Sequence, residues 1–419
     1  MKRGSVEVGA GTVSAGRTAP PDDPMEFAPV KRFTSRSCVD NDDLAARAVE
    51  FLDCGPAGTL TVVINDPQRH TDSRPVLEAL ARLVRPEGIR VLVATGTHRF
   101  EASRRAAFER RFLGGLEVGR VDWHDARRDD LVPVDGRWRA HPWIAGRESV
   151  LAVGSVEPHY FAGFTGAHKT ATIGVASRAD IERNHETALD PACRPGRLDG
   201  NPVYEGVLRM LASCGTQARL AGINFVQVDG ETVFGDVAAG RPIEAFDASL
   251  RRAAAIAREC FMHELDAPAD ALIVEVEGPL AETFYQADKG IKNNEWAVRD
   301  GGAIILLASC AGGIGQDAFM ELLRQASDHA AAAERVRRRG YRLGDHKAVR
   351  LRYLTDPSCR AVRVHAVCPG LSPEESDVLG FLRAASVEAA LDAAGVRPGR
   401  DRVWRVRDAG NACVTVRGG

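Results

Sequence analysis

The chain has 419 residues, 44% hydrophobic and 27% charged, as expected of a folded globular protein of two or three domains. Its 55 Lys and Arg against 57 Asp and Glu give a formal net charge of -2, which argues against a nucleic-acid binder and against an acidic disordered chain. No apolar run approaches the roughly 20 residues that span a bilayer, and the start of the chain lacks the apolar stretch of a secretory signal. The 9 cysteines lack the spacing of a zinc ribbon or redox pair, so they read as free thiols of a cytoplasmic protein.

In chain order, residues 5–14 suggest an edge hairpin, broken off by Pro20, Pro21 and Pro24. A cap-like run at Asp40 starts a helix over 41–51. The β-branched run 60–65 predicts a strand, 74–84 a helix, 91–94 a strand, 102–112 a helix, 149–153 a strand and 203–214 a helix. Residues 157–202 carry little periodicity before 179 and read as a long functional loop. A second unit starts near 267, with strands at 269–276 and 303–307 around a mostly helical stretch at 280–298. A tight Gly turn at 310–315 precedes a helix over 317–325, and further strands are expected at 348–354, 362–367 and 402–407. Continuous apolar strands alternating with helices predict an α/β fold of two domains, with mainly parallel sheets flanked by helices. Residues 1–265 are assigned to the first domain and 266–400 to the second, with 401–419 expected to return to the first.

Four segments carry chemistry. Asp66-Pro67-Gln68-Arg69 follows a strand, where an open α/β sheet binds ligands, and Arg69 suits a carboxylate. Gly96-Thr97-His98 follows the next strand, and His98 is a candidate acid or base. The richest segment holds His159, Lys169 and His185 among glycines. Lys169 is not a P-loop lysine, because His168 stands where that motif requires glycine. A metal, a covalent adduct, or both fit this grouping. Gln286 and Lys289, three apart, share a helix face. The Gly312-Gly313-Ile314-Gly315 turn lacks the spacing of a dinucleotide fingerprint.

Taken jointly, Asp66-x-x-Arg69, Gly96-Thr97-His98, His159, Lys169, Asn184-His185 and Gln286-x-x-Lys289 resemble the nickel-pincer-dependent lactate racemase family. The resemblance implies a racemase or epimerase of a small 2-hydroxy acid, with its active site in the cleft between the domains. It implies a nickel-pincer nucleotide (a pyridinium mononucleotide holding nickel through one carbon and two sulfurs) attached at Lys169, with His185 as the metal ligand and Asp66 beside the cofactor. It further implies His98 and His159 as the catalytic pair, and Arg69, Gln286 and Lys289 as substrate-binding residues. Separate maturation enzymes supply such a cofactor. The chain departs from the family pattern at Gln68, His70 and Ile173, which bears on substrate choice. Two other readings stay open: a zinc- or other metal-dependent lyase or hydrolase using His98, His159 and His185, and a catalytically silent cofactor-binding homologue.

Overall fold

The computed structural model describes residues 23–29, 39–69, 71–146, 148–215, 219–315 and 317–418. The expected hairpin at 5–14 and the departure at His70 lie outside the described residues. After strand β1 (Met25–Phe27), the first domain contributes β2 (Leu60–Asn65), β3 (Ile89–Ala94), β4 (Arg120–Trp123), β5 (Ser149–Ser155), β6 (Arg219–Val228) and β7 (Glu231–Ala238). They lie in the order β7-β6-β5-β2-β3-β4, parallel except for the β6–β7 pair. Chain direction across the sheet reverses between β2 and β5. Their C-terminal ends open the crevice in which such sheets take ligands.

The rest of the chain supplies β8 (Met262–Leu265), β9 (Ala269–Glu275), β10 (Val298–Leu307), β11 (Arg363–Val367), β12 (Leu382–Arg383), β13 (Val403–Val406) and β14 (Cys413–Val416). The second sheet runs β1-β13-β9-β10-β11-β12 and is parallel throughout. This corrects the expectation for 401–419. Rather than returning to the first sheet, that segment inserts β13 between β1 and β9, then pairs β14 with β8. Val406 and Val414 belong to the second domain's core, together with Leu265 and Phe27. The apolar faces of β13 and β14 are thus buried where they stand.

A second correction concerns 348–354, expected as a strand. It lies in a helix, Asp345–Thr355. The order Val349-Arg350-Leu351-Arg352-Tyr353-Leu354 alternates apolar and polar, which imitates a strand. Ala348, Leu351 and Leu354 are nevertheless buried at helical spacing, and His346, Lys347 and Arg352 are buried as well. Arg352 satisfies its guanidinium on the carbonyls of Leu323, Ala326, Val378 and Leu379.

Two local features place the His/Lys segment. Asn224, buried on β6, accepts the Ala167 N–H at 2.9 Å, and Asn65 at the end of β2 donates to Thr170 Oγ1 at 3.1 Å. The short helix Ala167–Thr170 is thereby tied to the sheet at both ends. Gly154 on β5 lets it approach: a β-carbon there would stand 2.7 Å from Ala167 N. Gly154→Ala should therefore cost about 1–3 kcal/mol of stability by forcing this turn off the sheet. Urea denaturation checks this, and an unchanged midpoint would contradict it.

Candidate active site

All eight residues singled out in the sequence line one cavity of about 550 Å³. Asp66, Arg69 and His98 come from the ends of β2 and β3. His159, Lys169 and His185 come from the segment after β5. Gln286 and Lys289 come from the second domain's helix Phe284–Asn294. The cavity therefore lies between the domains. Gln286 and Lys289 share one face of that helix, and both are buried.

The cavity is rich in cations. Burial holds the Lys169 ammonium well below the ordinary lysine range, and the Arg69 guanidinium adds repulsion that Glu157 only partly offsets. Lys289 is depressed in the same way, by burial first and then by Arg69 and Lys347. An amine so placed favours its neutral, nucleophilic form. Arg69 has Glu157 as a distant partner at 3.9 Å, and Glu157 accepts a hydrogen bond from Thr165 Oγ1 at 2.7 Å.

The histidines occupy different surroundings. His98 Nδ1 lies 2.7 Å from Asp66 Oδ2. His159 stacks on Tyr160 and meets the edge of Phe161. Burial pushes it well below the ordinary histidine range, with Lys169, Arg69 and Lys289 adding repulsion. His185 is pushed to about 3 by burial and Lys169. Asn184 donates its amide to the Val203 carbonyl at 3.0 Å, which turns Oδ1 toward His185 Nδ1 at 3.2 Å. In that arrangement His185 Nδ1 carries the proton and Nε2 keeps a free lone pair, the form a metal ligand needs. Among the described residues no three His, Cys, Asp or Glu side chains are grouped to hold a metal ion. His98, His159 and His185 thus do not form a three-ligand protein site of the kind a zinc hydrolase uses.

The sequence reading missed the contribution of the helix Asp345–Thr355. Its His346 and Lys347 line the cavity. His346 lies 3.1 Å from the Tyr160 hydroxyl and 2.6 Å from that of Tyr341. Lys347 pairs with Asp288 at 3.3 Å and donates to the Tyr285 carbonyl at 2.5 Å. Arg350 reaches the carbonyls of Tyr160 and Cys193 while pairing with Glu295 at 2.7 Å. This helix fastens the second domain to the turn bearing His159. The adjacent polar pair His346-Lys347 was the available signal, just before the segment expected as a strand.

A depressed amine has a stability signature. Lys169 has a folded value below its unfolded one, so folding expels a proton between the two and stability rises with pH across that window. Lys169→Met removes the penalty. The cofactor-free variant should have the higher urea midpoint at about pH 7, with the gap closing above the free-lysine value of about 10.4. An equal or lower midpoint at about pH 7 would contradict the electrostatic account.

Residues 54–196 match the family described as "Lactate racemase N-terminal domain", and residues 266–403 match "Lactate racemase C-terminal domain". A lactate racemase of Thermoanaerobacterium thermosaccharolyticum is 28% identical over 71% of this chain and 73% of its own length. One of Lactiplantibacillus plantarum is 28% identical over 64% of each. The lactate racemase apoprotein structure from T. thermosaccharolyticum superposes with a TM-score of 0.77 at 22% identity, over 94% of this chain and 95% of that one. A structural-genomics target from Thermotoga maritima superposes at 0.68 with 16% identity, over 90% and 98%. Gathered in one interdomain cavity and matched by both domain families, these residues establish that the chain belongs to the lactate racemase family.

Proposed function

We propose that the protein racemises or epimerises a small 2-hydroxy acid, using a nickel-pincer nucleotide tethered at Lys169. The observation that carries the reading is the convergence of a charge-depressed Lys169, a neutral His185 and two further histidines on one cavity. The residues suit the cofactor on three counts. Lys169 is disposed to be a neutral amine, as covalent attachment requires. His185 offers one lone pair to a metal. Among the described residues no three-ligand metal site is grouped, which suits a group that brings its own donors to the metal. When bound, that group supplies an electrophilic metal–carbon centre able to take and return hydride.

The chain's residues do the rest. The α-hydrogen of a 2-hydroxy acid is barely acidic, because the adjacent carboxylate resists a carbanion. Its departure as hydride is easier when a base takes the hydroxyl proton. His98 and His159 serve this exchange. Arg69 holds the carboxylate through paired N–H donors while the carbon centre inverts. Lys289 presents its buried amine to the same cavity. Gln286 Oε1, buried without a partner, is an acceptor open to a substrate donor. Enclosure between the domains keeps water from the keto acid.

Maturation enzymes are the partners this reading requires. Cytoplasmic placement belongs to the same reading and rests on cysteines that lack the spacing of a zinc ribbon or redox pair. Among the described residues, no helix is long and apolar enough to cross a membrane.

Single enantiomers of lactate and other 2-hydroxy acids, incubated with loaded enzyme and resolved by chiral chromatography, test the activity. Interconversion is expected, with the α-hydrogen retained in deuterated water. Solvent deuterium at that carbon would overturn hydride transfer, and absence of interconversion across the panel would overturn the racemase reading. Arg69→Lys, which loses the paired donors, should raise KM about ten- to a hundred-fold. Unchanged KM in steady-state assays would remove Arg69 from carboxylate binding.

A further inference from the structure

Asp66 is only 4% exposed, and both its oxygens are committed. Oδ1 accepts the Gln68 backbone N–H at 2.9 Å, and Oδ2 faces His98 Nδ1 at 2.7 Å. An ionised carboxylate has no proton to give, so His98 Nδ1 is the donor. In the neutral ring the lone pair then sits on Nε2. His159 is held the other way. The Ala162 backbone N–H approaches its Nδ1 at 3.4 Å, and a backbone N–H can only donate. Nδ1 of His159 therefore carries the lone pair, and Nε2 carries the proton. His98 and His159, both lining the cavity, are thus not equivalent.

We propose that Asp66 is the positioning residue of a carboxylate–histidine pair that holds His98 and His159 in opposite tautomers, making His98 the resting acceptor of the substrate's hydroxyl proton. The catalytic part of this inference rests on the racemase reading, whereas the tautomers do not. In the step from the resting site, the substrate O–H bond breaks and an N–H bond forms at His98 Nε2. The resulting imidazolium faces the Asp66 carboxylate. Return of the proton reverses both changes. From the opposite enantiomer His159 must be the acceptor, and its ring first has to move a proton from Nε2 to Nδ1, giving up the Ala162 contact.

Asp66→Asn tests this, because Gln68 constrains the amide. Its N–H requires an acceptor, which fixes the asparagine oxygen there and turns the NH2 group toward His98 Nδ1. That nitrogen must then accept, and the His98 proton shifts to Nε2. Long-range nitrogen–proton correlation spectra of histidine-labelled, cofactor-free protein at about pH 8 read the tautomers of neutral rings directly. His98→Gln and His159→Gln assign the signals.

The expected result is Nδ1–H at His98 and Nε2–H at His159 in the parent protein, with His98 switching to Nε2–H in Asp66→Asn. In loaded enzyme, kcat per nickel-bearing chain should fall about 10²- to 10⁴-fold, with KM and cofactor content little changed. Like tautomers at both histidines, or no switch in the variant, would overturn the pairing. Loss of bound cofactor with unchanged kcat per loaded chain would overturn the positioning role and make Asp66 a cofactor residue. Opposite tautomers in a parent enzyme that racemises nothing would instead strike the functional reading.

Discussion

A lysine can attack an electrophile only when it is unprotonated, and the cavity around Lys169 makes protonation unfavourable. Burial and Arg69 act together on that amine, and Lys289 and His159 feel the same excess of positive charge. Such a cluster would push itself apart unless the scaffold were rigid. The parallel strands β2, β3 and β5 provide that rigidity. Asn65 and Asn224 extend it to the turn carrying Lys169. The same repulsion suits the site to anionic ligands, which would relieve it on binding.

The cavity is completed only where the domains meet. The helix Phe284–Asn294 brings Gln286 and Lys289, and the helix Asp345–Thr355 joins through His346, Lys347 and Arg350. Arg104 with Glu282, at 2.8 Å, and the Leu343 N–H with Glu182, at 3.3 Å, add further ties between the halves. Beside these polar contacts, Leu343 packs into the first domain's core and Phe161 meets the ring of His346.

The parallel core was legible because β2, β3, β5 and β9 are nearly continuous apolar runs, the pattern of strands buried on both faces. The candidate residues Asp66, Arg69 and His98 were legible because their motifs directly follow two of those strands, and the others because of their joint spacing along the chain. Other features depend on information outside any local window. Strand β1 pairs with β13 across almost the whole chain, Met25 beside Trp404, which no periodicity announces. The helix Asp345–Thr355 buries charged groups on several faces, so its amphipathic signal is erased. The β6–β7 hairpin did carry a local sign: Asp229-Gly230 between two apolar runs, both residues at positive φ. The sequence reading passed over it.

Under the proposed function, this cavity holds a nickel-bearing nucleotide on Lys169. The most direct measurement is the mass of the peptide carrying Lys169, together with nickel content, on protein produced alongside enzymes that build the cofactor. A nucleotide-sized adduct on Lys169 with bound nickel is expected. An unmodified Lys169 without nickel, where a lactate racemase prepared in parallel is loaded, would contradict it.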